Sequence, residues 1–348
     1  MKKLLSRKRD KAKQQIPSRI TNETVAEHRE RILAGGRRFK YPMQYARHRL
    51  VINTIIVTVV ALIILVLFGW WQLYSVQNTS TFFYRVTRIL PVTVASVDGE
   101  PVRYSDYLMY FNSSAHYLQQ SEQLNLSSDD GKRQLDYVKR KSMDNVVADA
   151  YADKLARELD IKVDEARVDQ VIDDDRNTAN GRISQETYDA SALNVLGWAP
   201  DEYRQDARSK LIRQDVSYAI DDVARQKQEQ AAQLLQQKNA DLDKIVAQLG
   251  GEGDGKVTAG VSGLVPRTNR DGGLSAAAAK LKKGEVSPVI KTTTGDGYYF
   301  VRLLEQNDTQ ISYAYLRVPL TEFEKRLAAL KKDNKVQEYI SIPKLDNQ

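Results

Sequence analysis

Three stretches of the chain carry residue types whose spacing could do chemistry. The first, Gly250-Gly-Glu-Gly-Asp-Gly-Lys-Val257, nearly spells a phosphate-cradling loop. Its last position is Val257, which lacks the hydroxyl such a loop sets on its metal, and the residues before it read as helix where a strand is required, so the pattern argues against a nucleotide site. The second stretch is a pair of tyrosine-rich runs, Gly297-Tyr-Tyr-Phe-Val301 and Ile311-Ser-Tyr-Ala-Tyr-Leu-Arg-Val318, whose alternation predicts strands joined by a polar turn. They place Tyr299 and Tyr315 on an antiparallel hairpin. The third is a predicted helix to about Gln120, decorated by Tyr104, Tyr107, Tyr110, Phe111 and Tyr117. Aromatic side chains at helical spacing either pack a core or offer a peptide-binding surface, and these five are the candidate binding residues.

What the chain lacks narrows the chemistry further. Zero cysteines exclude a disulfide framework, a thiolate metal site and a thiol nucleophile. The three histidines are His28, His48 and His116, and the first two lie in the N-terminal tail. His116 has no acidic or thiol partner nearby in sequence, so it reads as structural. No pattern of residues points to a cofactor or a metal.

The element that positions everything else is Val51 to Trp71, with no ionised residue between Arg49 and Arg85. About 21 residues at about 1.5 Å each cover the roughly 30 Å hydrocarbon core of a bilayer, and Trp70, Trp71 and Tyr74 stand where an interfacial aromatic belt belongs. The stretch reads as a single membrane-spanning helix. It is longer than the apolar part of a cleaved signal peptide and ends in no small-residue cleavage site. Residues 1–50 hold 15 Lys/Arg against 4 Asp/Glu, so the overall charge of +7 divides into +11 for the tail and −4 for the remainder. The positive-inside rule then predicts a cytoplasmic N-terminus and an extracytoplasmic C-terminal portion. The tail, residues 1–48, reads as disordered or transiently helical, with anionic lipid headgroups rather than nucleic acid as its partner.

Beyond a connector at 75–91, Val92-Thr-Val-Ala-Ser-Val-Asp-Gly-Glu-Pro-Val102 predicts a hairpin turning on Asp98-Gly99. Ser105 offers an N-cap for the tyrosine-rich helix, Ser127-Ser-Asp-Asp opens a long amphipathic helix to about Leu159, and Asp164 caps a shorter one. A Gly197-Trp-Ala-Pro200 turn leads into a helix from Asp201. Residues 222–249 read as one or two amphipathic helices. Thr321-Glu-Phe-Glu324 reads as a capping box opening a last helix with Phe323, Leu327, Leu330, Val336 and Tyr339.

The hairpin Val-Ala-Ser-Val-Asp-Gly-Glu-Pro-Val, the long helix ending in Ala-Arg-Glu-Leu-Asp-Ile-Lys-Val-Asp, and Leu-Gly-Trp-Ala-Pro-Asp-Glu-Tyr resemble the N-terminal chaperone domain of the SurA, PpiD and PrsA group over about 92–222. Residues 281–305, Leu-Lys-Lys-Gly-Glu-Val-Ser-Pro-Val through Gly-Tyr-Tyr-Phe-Val, resemble the last part of a parvulin-type prolyl isomerase, with 226–248 as its first helix. Against the family pattern, Tyr299 replaces a histidine, no strand precedes the helix, and Ala276 to Ala279 stand where a bulky apolar side chain belongs. The 311–318 strand is expected to fill the place of the missing first strand, a permuted arrangement that brings Tyr315 near the position of the other lost histidine.

The resemblance implies a mainly α chain with a small α+β domain, divided as a basic cytoplasmic tail (1–48), a transmembrane helix (49–74), a connector (75–91), a SurA N-like helical domain (92–222), a degenerate parvulin-like domain (223–319) and a C-terminal helix (320–348) returning to the chaperone domain. It further implies a membrane-anchored extracytoplasmic chaperone for unfolded or newly translocated polypeptides, with the translocon as a candidate partner. Catalytic residues are expected to be absent, Tyr299 and Tyr315 marking degenerate isomerase positions. An active prolyl isomerase and a non-catalytic envelope scaffold are the alternative functions.

Overall fold

The computed structural model describes residues 21–178, 181–237, 240–250 and 253–344. It separates into a unit ending at Gln72 and a unit starting at Leu73. The first contains α1 (Asn22–Trp70), a 49-residue helix, so it is roughly 70 Å long. His48–Ser75 within and just beyond it is long and apolar enough to cross a membrane, with a mean hydropathy of 3.1. The sequence reading of residues 22–48 as disordered or transiently helical is therefore corrected to a continuous helix: a segment that extends an existing helix avoids the nucleation cost that an isolated one meets. Residues 1–20 of the tail lie outside the described residues.

The second unit begins with α2 (Thr81–Ile89), then a hairpin of β1 (Thr93–Val97) and β2 (Glu100–Arg103). Asp98 and Gly99 take positive φ angles of 47° and 83°, the left-handed pair that a two-residue hairpin turn needs. Five helices follow in order: α3 (Tyr104–Gln120), α4 (Asp129–Glu158), α5 (Glu165–Asp175), and, after the two-residue strands β3 (Asn177–Thr178) and β4 (Gly181–Arg182), α6 (Gln185–Leu196) and α7 (Pro200–Ile220). Ser128 caps α4 by accepting from Gly131 N at 3.0 Å, and Asp164 caps α5 by accepting from Arg167 N at 2.9 Å. Ser105 is not a cap. Helix α3 starts one residue earlier, and Ser105 is buried inside its first turn. The core here gathers Val94, Leu108, Met143, Val146, Val147 and Val216.

Helices α8 (Asp222–Leu235) and α9 (Leu242–Leu249) lead into a five-stranded antiparallel sheet. Its strands are β5 (Thr258–Val261), β6 (Val265–Pro266), then, after the short α10 (Leu274–Ala278), β7 (Ile290–Lys291), β8 (Gly297–Gln306) and β9 (Gln310–Pro319). The order is β5-β9-β8-β7, with β6 also on β9, so β9 is central. Tyr298, Phe300, Leu316 and Val318 face α8 and α9, while Tyr299, Val301, Leu303 and Tyr313 face α10. Both alternating sets are apolar because both faces are covered. Strand β5 has no strong sequence signal: Gly260 interrupts it because the Tyr315 ring lies where a Cβ would sit, 2.6 Å from the Tyr315 hydroxyl oxygen.

The chain then returns to the helical part through α11 (Glu322–Lys332), with Phe323 against Tyr151, and β10 (Val336–Glu338), which pairs with β1. The expected helix through Tyr339 stops early, because Asn334 turns the backbone left-handed at φ 55° and the free edge of β1 takes Val336 as a strand. The Thr321 side chain caps nothing. Buried Asp221 does the work instead: its Oδ1 accepts from Ala224 N at 2.8 Å, and its Oδ2 from Thr321 N at 2.7 Å and Glu322 N at 3.0 Å. One carboxylate thus caps the helix that leaves and the helix that returns. Asp221→Ala is expected to destabilise the second unit by about 2–5 kcal/mol, two caps and a buried unmet donor. Asp221→Asn should recover little of that, since its amide NH2 faces further donors; urea midpoints of the two variants check both.

Candidate functional site

On the α10 face of the sheet, Tyr299 and Tyr315 come from the paired strands β8 and β9, with ring centroids 6.1 Å apart. Neither tyrosine is ionised at neutral pH. The Tyr299 hydroxyl donates to Asp296 Oδ2 at 2.6 Å, and that carboxylate also receives Thr292 and Thr294 hydroxyls and pairs with Arg317 at 3.2 Å. Tyr313 repeats the arrangement, donating to Asp271 Oδ2 at 2.6 Å beside Ser275. Burial first, and then the adjacent carboxylate, pushes both phenols well above their ordinary range. For Asp296 and Asp271, burial opposes ionisation, but the hydrogen bonds they accept outweigh it and hold both carboxyls below the usual value. The result is two saturated phenol–carboxylate pairs, neutral donors facing anionic acceptors, with no group poised to exchange a proton near neutral pH. Among the described residues no cluster of His, Asp or Glu could hold a metal.

The five aromatic residues of α3 divide. Tyr104, Tyr107 and Phe111 belong to the core, so the reading of them as a peptide surface is corrected for the first two. Tyr104 is 0% exposed and donates to Leu73 O at 2.7 Å; Tyr107 stands edge-on to Tyr104 and stacks on Phe111. They fill the interior because the helix needs an apolar face against α4 and β1. Phe111 is largely buried but keeps an edge on a surface cleft, and Tyr117 is 40% exposed.

That cleft, on the helical part, is about 650 Å³ in volume. Its walls are Tyr84, Arg85 and Arg88 of α2, Met109, Phe111 and Ala115 of α3, and Leu193, Leu196 and Trp198 from the end of α6 and the turn after it. A second recess of about 460 Å³ shares Ser113 and Leu196 with it and is lined by Tyr117, Tyr137 and Val138. Gly197 shapes the turn: its φ of 69° ends α6, and the His116 ring lies 3.2 Å from where a Cβ would sit. His116 also bonds through Nε2 to Asn194 O at 2.9 Å, which fixes α6 against α3. The sequence signal that could have found this wall was Leu193-Asn-Val-Leu-Gly-Trp198, an apolar run with no amphipathic face to bury it. Leu193 remains 58% exposed.

Behind the cleft, the Tyr110 hydroxyl lies 3.0 Å from Asp149 Oδ2 and 3.1 Å from Asp206 Oδ1, both buried, and Arg213 pairs with Asp149. Tyr110 is thus a tie between α3, α4 and α7 and not a contact residue. One turn along α4, Asp153 shares this acidic surrounding; burial first, then the Asp149 charge, raises its carboxyl to about 6. A carboxyl raised in the folded state favours folding while protonated, so its contribution is full below about pH 4 and is lost as pH rises to about 6. Asp153→Asn is accordingly expected to raise the urea midpoint at pH 7.5 and leave it unchanged at pH 4.

Residues 43–217 match the SurA-like N-terminal domain, and residues 199–314 match the PPIC-type PPIase domain. The two matches overlap along α7, the helix that carries the chain from the helical part to Asp221. No curated protein matches the chain. With half of its length matched by the first domain and the sheet of the second built behind it, the chain belongs to the SurA-like family, in which a SurA N-terminal domain is joined to a parvulin-type PPIase domain.

Proposed function

We propose that this protein is a single-pass, membrane-anchored extracytoplasmic chaperone that holds unfolded or newly translocated polypeptides and does not turn over prolyl bonds. The observation that carries the reading is the open apolar cleft of about 650 Å³ between α2, α3 and the α6–α7 turn, which is wide enough for side chains of varied sequence. Its partners are polypeptide segments, and Phe111 and Tyr117 are the residues of α3 placed to touch them.

The inactive reading of the isomerase domain is supported by the chemistry of its α10 face. Isomerisation crosses a barrier of about 20 kcal/mol and needs an apolar pocket that favours the twisted amide. Here Tyr299 and Tyr313 are committed to Asp296 and Asp271, and Ala278 stands on α10 where a larger side chain would build a pocket wall. The domain division that accompanies this reading is a basic cytoplasmic tail (1–48), a span (49–74), a connector (75–91), a chaperone domain (92–222) completed by 320–348, and a degenerate parvulin-like domain (223–319). The anchor raises the local concentration of a weak binder where clients emerge. The translocon and anionic lipids at the tail are the membrane-side partners.

Two measurements test the reading. The full chain in lipid nanodiscs should suppress aggregation of an unfolded client while leaving a protease-coupled prolyl isomerisation assay at its background rate; turnover above background would make it an isomerase, and no suppression at several-fold molar excess would remove the chaperone role. Because the chain has no cysteine, Glu122→Cys and Glu27→Cys each introduce one reporter thiol at an exposed site. A membrane-impermeant maleimide should label the first in vesicles of outward orientation and the second only in inverted ones.

A further inference from the structure

The polar groups of the cleft are unbalanced, and the imbalance bears on which peptides it takes. Its one carboxylate, Glu202, is spent: Oε1 accepts from the Tyr84 hydroxyl, and Oε2 accepts from Ala199 N at 2.7 Å. Arg88 is committed to Asp201. Two donors of different kinds, one buried and one cationic, have no partner among the described residues. The Trp198 side chain is 9% exposed, and its indole N–H is buried with no hydrogen-bond partner among the described residues. Arg85, on the same helix as Tyr84 and Arg88, lines the cleft with an exposed guanidinium that makes no ion pair or hydrogen bond among the described residues. The contacts of Tyr84 with Glu202 and of Arg88 with Asp201 tie α2 to the segment just after Trp198, so both free donors belong to one wall.

A buried N–H without an acceptor is disfavoured, and a free guanidinium beside apolar rings attracts a planar anion with two oxygens. We infer that the cleft selects apolar peptide segments that carry a carboxylate, which Arg85 receives while a peptide carbonyl takes the Trp198 N–H. The inference rests on the cleft being the client site and names the chemistry of its clients. The carboxylate can come from a C-terminus or from an aspartate or glutamate side chain within the segment. Basic segments are disfavoured by Arg85 itself.

The test uses the full chain in nanodiscs of neutral lipid, with Trp70→Phe and Trp71→Phe, so that Trp198 is the remaining tryptophan of the three. One fluorescently labelled apolar peptide is made in four forms: free C-terminus, amidated C-terminus, amidated with an internal aspartate, and amidated with an internal lysine. At low ionic strength at least one carboxylate form should bind about tenfold more tightly than the neutral amide, with a change in Trp198 emission at saturation. Arg85→Gln, an exposed position with no partner to lose, should bring the carboxylate forms to the affinity of the amide without abolishing binding. Preference for the free C-terminus alone assigns chain-end recognition, and equal preference for the aspartate form assigns recognition of any carboxylate; both support the inference. Equal affinity of neutral and carboxylate forms, or a preference that survives Arg85→Gln, overturns it while leaving the client cleft standing. Failure of all four to bind removes the cleft as the client site and the inference with it.

Discussion

The buried carboxylate of Asp221 is the constraint on which the architecture of the second unit turns. A chain that leaves a helical body at Ile220 and comes back at Thr321 has two helix starts side by side, each with backbone N–H groups that have no intrahelical acceptor. Water cannot serve them at a buried junction. A single aspartate with four lone-pair sites can, and it accepts three of these donors. Tyr218, three residues earlier, donates to Gly297 O at 2.6 Å and seats the start of β8 beside the same junction. The inserted hundred residues therefore leave and re-enter through one polar joint.

The joint also explains the strand order. To return to Asp221, the chain must end the sheet at Pro319 next to the place where β8 began, and an antiparallel β8–β9 pair does this directly, with Gly297 opposite Pro319. Strand β9 is then available on its other edge, which β5 and β6 occupy. The pairing of β8 with β9 is the one the hairpin pattern predicts, and it puts the C-terminal strand at the centre of the sheet. The same strand carries Tyr313 and Tyr315 onto the face of Tyr299, so one of the two phenol–carboxylate pairs there, Tyr313 with Asp271, depends on the returning segment.

The helical part places its polar groups by a different rule. Asp149, Asp206, Tyr110 and Arg213 satisfy one another at the meeting of three helices, which leaves the adjoining cleft to apolar side chains and to donors without partners. A satisfied network behind a surface holds the helices in one arrangement without consuming the surface itself.

Local periodicity and turn chemistry were legible in the sequence: the membrane-length apolar helix, the Asp98-Gly99 hairpin, the caps at Ser128 and Asp164, the pairing of 297–304 with 311–318, and the two family resemblances. Each depends on residues a few positions apart, or on one strand and its immediate neighbour. Tertiary structure decided what depends on distant partners. Thr321 looked like its own cap until Asp221, a hundred residues away, took its N–H. Val336 looked helical until the open edge of β1 claimed it. Tyr104 and Tyr107 looked like a surface because a tyrosine's periodicity is the same whether it faces client or core, and only the packing of α4 and β1 buries them. Only one wall of the cleft, the apolar Leu193–Trp198 run, left a trace in the sequence, because the walls come from α2, α3 and the α6–α7 turn, brought together by contacts such as Tyr84 with Glu202 that no local pattern encodes.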